Sequence, residues 1–229
     1  IDTTRSFLES RYQAVRNDPS KLVDFLTKNL NVWTDASEVW IEDKRWLACD
    51  RERLVWEKLK GRTAYGALDL SSVDDITAFV LYLPGENGYD DVYPFFFIPE
   101  ATVKERTKRD GVPYELWVRQ GLIEVTPGDT VDYDYIRRRI TGYYVPDGVV
   151  SHDDNCIADH VNLISVAYDK WNSSQLVNNL TADGVEMTPF GQGFVSMSTP
   201  TKEFKKKILK QEINHGGNPV LRWMASNVE

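Results

Sequence analysis

Apolar residues recur at helical spacing over the first thirty positions of the chain. Phe7, Leu8, Tyr12 and Val15 form one apolar stripe. A second stripe contains Leu22, Val23, Phe25, Leu26 and Leu30. The dipeptide Pro19-Ser20 between the stripes is typical of a helix end followed by a new N-cap. Residues 1–62, which also hold Trp33, Trp40, Trp46 and Trp56, therefore predict a small helical subdomain.

From residue 63 onward the pattern changes to short apolar runs separated by turns and helices. The predicted strands are 64–70, 76–83, 92–98, 122–126, 161–168 and 185–187. The predicted helices are 100–120 with interruptions, 130–140, and 199–213 opening at Thr199-Pro200, while 141–156 reads as a Gly/Pro/Asp-rich loop. Strands interleaved with helices indicate an α/β domain over residues 63–229.

Composition narrows the class of protein. The 229 residues are 41% hydrophobic, enough for a real core, and the net charge of -8 argues against a generally basic nucleic-acid coat protein. The two cysteines, Cys49 and Cys156, form no disulfide framework, and without CxxC spacing a zinc site is not expected. No apolar run approaches 18 residues, so the sequence predicts no membrane span, and an intracellular location is the default expectation.

Three acids lie at the end of the first predicted strand and just after it. They are Asp69, Asp74 and Asp75, and no Lys or Arg occurs from Thr63 to Thr102. A buried carboxylate needs a positive partner, and hard divalent cations such as Mg²⁺ prefer carboxylate oxygens. The alternative interpretation is a solvated turn at positions 74–75 with Asp69 as a turn-capping residue.

A further acid, Asp169, directly follows the predicted strand 161–168. Three antiparallel strands, a helix and then a strand ending in an acid form an order that recurs in ribonuclease H-like nucleases. In that arrangement the first and the later strand are neighbours, so Asp69 and Asp169 would meet at one end of the sheet. Two or three carboxylates there can hold two divalent ions. By itself, Asp169 could instead be a helix cap at a strand end.

Ordered sequence blocks make a family resemblance specific. They are Ala67–Ser71 with Asp74 and Asp75, Phe96–Glu100, Arg109–Tyr114, Leu116–Gly121, Thr126–Gly128 with Asp132 and Tyr133, Ala167–Asn172, Gly191–Ser198, Pro200–Glu203 and His215–Met224. In these blocks the chain resembles the large terminase subunit of tailed bacteriophages, specifically its C-terminal nuclease domain and the preceding linker. Residues 1–62 would then be the helical linker subdomain and 63–229 the nuclease domain.

The resemblance implies a ribonuclease H-like mixed sheet flanked by helices and an endonuclease that cuts concatemeric double-stranded DNA with two Mg²⁺ or Mn²⁺ ions. It assigns catalysis and metal binding to Asp69, Asp169 and Asp75. The implied partners are double-stranded DNA, an ATPase domain earlier in the same full-length chain, the small terminase subunit and the portal protein, in the cytoplasm of an infected host bacterium. We expect the last metal-binding acid of the family to lie on a helix beyond Glu229.

Basic clusters are candidates for contacts with DNA. Lys202, Lys206 and Lys210 recur every four residues, and Arg137 and Arg138 lie on another predicted helix. They would bind phosphates, or they are simply solvated helix faces. His215, beside two glycines, is interpreted as a turn residue and not as a metal ligand. A competing function is a non-catalytic DNA-binding or portal-docking module that retains the nuclease fold.

Overall fold

A computed structural model describes residues 2–17, 25, 40–71, 75–85, 88–169 and 174–228. The chain forms two compact units. One comprises Ile1–Glu42 together with Trp223–Glu229, and the other comprises Asp43–Arg222. The first strand of the larger unit starts at Thr63, where the sequence pattern changes from helical to extended. The domain boundary after residue 62 stays a prediction.

The smaller unit contains the predicted N-terminal helix. Helix α1 spans Asp2–Asn17, and Val15 on its apolar stripe is buried. The ring of Tyr12 lies 6.1 Å from that of Phe25, which is also buried. The rest of the second predicted stripe, and Trp33, lie outside the described residues. The predicted helix is thus confirmed, but Phe7 and Tyr12 on the same stripe are exposed, so the stripe is only partly buried.

The larger unit alternates strands and helices, as the sequence predicts. Its strands are β1 (Thr63–Asp69), β2 (Thr77–Leu83), β3 (Asp90–Pro99), β4 (Glu124–Thr126), β5 (Tyr143–Tyr144), β6 (Ser151–His152), β7 (Asn162–Asp169), β8 (Met187–Phe190) and β9 (Ile213–Asn214). Its α-helices are α2 (Asp43–Leu47), α3 (Val103–Asp110), α4 (Tyr114–Arg119), α5 (Tyr133–Thr141), α6 (Ile157–His160), α7 (Ser174–Ala182) and α8 (Phe194–Leu209). Helix α9 (Pro219–Ser226) begins in this unit, and short 3-10 turns cover Trp56–Leu59, Glu100–Thr102 and Pro146–Gly148.

The strands form a mixed sheet in the order β4-β3-β2-β1-β7-β8, and β9 pairs with β3. Strands β1, β2 and β3 are antiparallel, whereas β7 runs parallel to β1, and β8 runs parallel to β7. A separate hairpin joins β5 to β6. The predicted neighbourhood of the first strand and strand 161–168 is therefore confirmed.

Helices cover a sheet face whose side chains form the main core. Phe79 and Leu81 on β2 and Phe97 on β3 are fully buried in this cluster. Ile140 on α5 and Leu180 on α7 pack into the same cluster. Fully burying one such side chain contributes about 1.5–3 kcal/mol to the free energy of folding. This packing therefore fixes where each strand ends relative to its neighbours in the sheet. Alternating burial along β2 confirms the strand pattern that the sequence predicts.

Two predictions about local structure are wrong in detail. The helix expected over 199–213 begins earlier, at Phe194, and ends at Leu209, so Pro200 lies inside it. Proline lacks an N–H and so removes one helical hydrogen bond, but the rest of the helix keeps the residues around Pro200 in a helical conformation. Ile213 instead joins β9, after Gln211 adopts a left-handed backbone with φ 59°. The predicted loop 141–156 contains the β5–β6 hairpin.

Within the described part of the chain, helices are too short or too polar to cross a bilayer.

Candidate active site

Strand register brings two of the predicted acids to the same edge of the sheet. Leu68 of β1 pairs with Tyr168 of the parallel strand β7, so the next residues are Asp69 and Asp169. Adjacent strands lie about 4.8 Å apart, and parallel strands end at a common edge. Asp169 in turn pairs with Phe190 at the end of β8. The acids, 100 positions apart in sequence, therefore lie side by side.

Burial and like charge dominate the electrostatics of Asp69 at the acid edge. The pKa of Asp69 is raised above its ordinary value, first by partial burial and then by repulsion from the charges of Asp169 and Asp75. The charges of both other predicted catalytic acids thus act on Asp69. A carboxylate whose neighbours are other carboxylates favours either a proton or a bound cation.

The loop between β1 and β2 holds Asp75 through its backbone. The amide of Asp75 donates to the Ser71 hydroxyl at 3.0 Å, and the amide of Ser71 donates to the Thr77 hydroxyl at 3.1 Å. The buried guanidinium of Arg106 donates to the Asp75 carbonyl oxygen at 3.2 Å. Sequence reasoning missed Arg106, because nothing in helix 100–120 indicated that this arginine points inward. Asp74 lies outside the described residues.

The donor set of this edge fits hard divalent cations. It offers carboxylate oxygens from Asp69, Asp75 and Asp169, which Mg²⁺ and Mn²⁺ prefer. Partial burial and then repulsion from Asp169 and Asp75 raise the pKa of Asp69, and a cation would relieve that repulsion. Among the described residues, the group of possible metal ligands whose donor atoms all lie within 4.8 Å of one another does not contain these acids. The donor atoms of the three acids are therefore more widely spaced than that.

The predicted DNA-binding residues differ in how far their charges are already engaged. Arg137 donates two hydrogen bonds to Asp183, and its side chain is only 14% exposed, so a phosphate would compete with that carboxylate. Arg138 pairs with Asp153 and lies over the ring of Tyr144. Of the lysines, Lys206 pairs with Glu203, Lys210 pairs with Glu212, and Lys202 is exposed. The lysines are therefore more accessible than Arg137.

An exposed apolar tip lies close to the acid edge. Only Gly191-Gln-Gly193 separates Phe190 from the first turn of α8, where Phe194 is 86% and Val195 92% exposed. A Cβ atom at Gly191 would lie 3.1 Å from the Ser196 hydroxyl, so the connection is tight. Sequence reasoning missed this tip because it placed the helix start at Thr199.

His215 is a structural residue of a turn, as its sequence context indicated. Its ring is buried and stacks on Trp46 with centroids 4.5 Å apart. Its Nε2 bonds to the Trp46 carbonyl oxygen at 2.9 Å, and Nδ1 accepts from the Gly217 amide at 3.3 Å. Burial lowers the pKa of His215, which favours the neutral ring.

Comparisons with known proteins agree with this geometry. The family described as "Terminase large subunit, endonuclease domain" matches residues 3–229. The "Terminase, large subunit" of Enterobacteria phage HK97 is 34% identical over 211 residues, which cover 91% of this chain and 38% of that protein. "Protein YmfN" of Escherichia coli (strain K12) is 27% identical over 237 residues, covering 100% of this chain and 49% of that protein.

A solved structure matches as well. The crystal structure of the HK97 bacteriophage large terminase superimposes with a TM-score of 0.69 at 30% identity. The match covers 95% of this chain and 42% of that one. The chain thus spans less than half the length of these relatives, and its fold is the mixed ribonuclease H-like sheet flanked by helices that the sequence predicts.

Proposed function

The chain belongs to the family of terminase large-subunit endonuclease domains, and on that premise we propose that it cuts double-stranded DNA with two divalent metal ions held by Asp69, Asp75 and Asp169. The observation that carries this proposal is the parallel register of β1 and β7, which puts Asp69 beside Asp169. The raised pKa of Asp69, caused by partial burial and by the neighbouring carboxylates, supports it.

Each acid has a separate part in this proposal. Asp69 and Asp169 end adjacent strands of a packed sheet, so their backbones are rigid and would fix the positions of the donor oxygens. Asp75 lies on a loop that Ser71 and Arg106 hold, and would complete the donor set from the side. When bound, Mg²⁺ or Mn²⁺ would supply a hydroxide at neutral pH and stabilise charge on the leaving oxygen of the phosphodiester.

The approach of DNA must overcome the acidic surface of the chain. The net charge of -8 repels phosphate, so affinity would come from local patches. We place Lys202, Lys206 and Lys210 on α8 first among these patches, because their pairings with acids are exposed and weak or absent. Arg137 and Arg138 are placed second, since both already engage carboxylates.

The exposed apolar tip of α8 is proposed to contact the same DNA. Phe194 follows Phe190 by four residues, and fully extended chain spans at most about 3.6 Å per residue. Phe190 pairs with Asp169, so the tip lies within about half a duplex turn of a phosphodiester held at the acids. Apolar side chains at such a place can pack on sugars or wedge between bases.

The wider setting follows from the family and is likewise proposed. The cut would fall in concatemeric phage DNA during packaging, in the cytoplasm of an infected bacterium. An ATPase domain in the same full-length chain, the small terminase subunit and the portal protein would be the partners. Tethering to the ATPase domain would give the nuclease the high local DNA concentration that its own charge opposes.

Plasmid cleavage tests the activity. The 229-residue chain is incubated with supercoiled plasmid and Mn²⁺ or Mg²⁺, and nicked and linear products are followed by gel. We expect cutting that a chelator stops and that Asp69→Asn or Asp169→Asn reduces at least 100-fold. Asp91→Asn, at the opposite end of the sheet, is the matched control and should cut normally.

Two outcomes would decide against the proposal. Equal cutting by Asp69→Asn and the unaltered chain would show that the acid edge is not the active site. A mobility shift of the plasmid with no cleavage in either metal would favour the alternative function, a DNA-binding or docking module.

A further inference from the structure

A second group of metal-ligating side chains lies in the segment that connects α5 to β7. A ring nitrogen of His152, the Sγ atom of Cys156 and a carboxylate oxygen of Asp159 all lie within 4.8 Å of one another. His152 is on β6, Cys156 immediately precedes α6, and Asp159 is on α6. We propose that His152, Cys156 and Asp159 bind one zinc-class divalent cation, separate from the ions of the acid edge.

The distances suit a small tetrahedral ion. Zinc bonds of about 2.0–2.3 Å to nitrogen, oxygen and sulfur place neighbouring ligand atoms about 3.3–3.6 Å apart. His152 Nε2 and Asp159 Oδ2 are 3.7 Å apart. The ligand atoms would need to move by less than about 1 Å to enclose such an ion. Two exposed side chains and one buried sulfur leave the site open to entry from solvent.

The His152 ring is already oriented for ligation. Its Nδ1 lies 3.1 Å from Asp154 Oδ1, and a proton donated there leaves Nε2, which lies 3.7 Å from Asp159 Oδ2, as the nitrogen available to a cation. A carboxylate on the far nitrogen is the usual support for a metal-bound histidine. The ring also packs edge-on against Tyr143, with centroids 4.7 Å apart.

Gly142 provides the space that this orientation requires. A Cβ atom at position 142 would lie 2.7 Å from His152 Nε2, and the backbone φ of 79° is itself unfavourable for other residues. The Thr141 carbonyl oxygen lies 3.0 Å from the same nitrogen. Without a cation, a protonated ring donates to that oxygen and to Asp154. With a cation bound, the oxygen or a water molecule would fill the fourth position.

The sulfur ligand separates this site chemically from the acid edge. Thiolate and imidazole favour Zn²⁺ and Co²⁺, whereas an all-carboxylate set favours Mg²⁺ and Mn²⁺. Burial raises the pKa of Cys156 to about 11, so the free thiol is inert at neutral pH, and binding would release its proton. The bound ion would fasten the β5–β6 hairpin to α6, immediately before the strand that ends at Asp169.

Cobalt titration tests the site, because thiolate-bound Co²⁺ absorbs in the near-ultraviolet by charge transfer while carboxylate-bound Co²⁺ does not. The 229-residue chain is stripped with a chelator and titrated with Co²⁺. We expect a thiolate band that saturates at one equivalent and disappears when Zn²⁺ is added. Cys156→Ser should abolish the band, and Asp159→Asn should weaken Co²⁺ affinity at least tenfold.

Two matched variants serve as controls. Cys49→Ser removes the other buried free cysteine, and Asp169→Asn alters the acid edge, so both should keep the band unchanged. Thermal unfolding without metal checks that each variant folds. The absence of a thiolate band in the unaltered chain, or an equal band in Cys156→Ser, would overturn the proposal and leave His152 as a protonated hydrogen-bond donor.

Discussion

The two ends of the central sheet both carry acids, but the neighbours of those acids differ. Where β3 begins, Asp90 accepts from the Tyr82 hydroxyl, the Lys207 ammonium and the Gly85 amide. Asp91 accepts from Arg62 at 2.5 Å and from the Asn214 amide at 2.9 Å. Where β1 ends, Asp69 faces the negative charges of Asp75 and Asp169 instead.

The pKa values of these acids move in opposite directions. Burial alone would raise the pKa of Asp90, but the hydrogen bonds from Lys207, Tyr82 and Gly85 hold it below its ordinary value. The pKa of Asp69 is raised by partial burial and by like charges. Acids that stabilise a fold are surrounded by donors, whereas a carboxyl group whose pKa is raised by burial and by like charges is typical of a functional site. The comparison therefore supports the proposal that the Asp69 edge is the functional end of the sheet.

The largest expected effect is that metal ions stabilise the fold by binding at only one end of the sheet. Mn²⁺ at one hundred times its dissociation constant should stabilise the folded chain by about 2.7 kcal/mol, because it binds the folded state alone. Thermal unfolding with and without Mn²⁺ measures this. Asp169→Asn should lose most of the gain, and Asp90→Asn should keep it. An equal gain in both variants would remove the distinction between the two ends.

The next largest expected effect is a loss of stability at the other end of the sheet, where Asp91 accepts hydrogen bonds. Asp91→Ala leaves Arg62 and the buried amide of Asn214 without their acceptor. We expect a loss of about 2 kcal/mol in the free energy of unfolding, measured by urea titration. Asp75→Ala, an exposed acid of the functional edge, is the matched control and should lose far less. A loss below about 0.5 kcal/mol for Asp91→Ala would show that its hydrogen bonds contribute little.

The loss of folding stability at acidic pH should depend in part on Asp90. Its folded pKa lies below the unfolded value of about 3.9, so its ionised form stabilises the fold above that pH and ceases to as pH falls through the folded pKa. Asp90→Asn should cost on the order of 1 kcal/mol at neutral pH, and the difference should vanish in strong acid. Parallel urea titrations from neutral to acid pH would measure it. A difference independent of pH would exclude ionisation as its cause.

The smallest expected effect is a gain in stability on substitution, in contrast to the losses expected for Asp91 and Asp90. Asp69→Asn removes a charge that repels Asp75 and Asp169, so in chelator at neutral pH it should raise the melting temperature. The Asp69 side chain is partly desolvated by its neighbours but stays accessible to solvent, which screens the repulsion, so the gain should stay below about 1 kcal/mol. Scanning calorimetry compares the melting temperatures of Asp69→Asn and Asp90→Asn. Asp90→Asn should melt at a lower temperature than the unaltered chain, so it serves as an internal reference. Lower melting of Asp69→Asn would mean that its carboxylate has stabilising partners.

Local patterns in the sequence predicted the strands and two of the three acids of the proposed active site, and the family resemblance added Asp75. Short apolar runs predicted β1 and β2, and a strand ending directly on Asp169 predicted a second acid at a sheet edge. Short-range periodicity reports burial directly, because each side chain faces either the core or solvent. The placement of Asp69 and Asp169 as neighbours needed only the parallel pairing of two strands.

The tertiary structure alone decided which side chains become partners across long separations. Nothing near Asp90 in sequence indicates Lys207, nothing near Asp75 indicates Arg106, and loop 141–156 gave no sign that His152 would meet Asp159. The early start of α8, which exposes Phe194, was hidden by a proline that reads as a helix opening. Periodicity records only whether a residue is buried, whereas partnership depends on the packing of whole elements, which no short stretch of sequence contains.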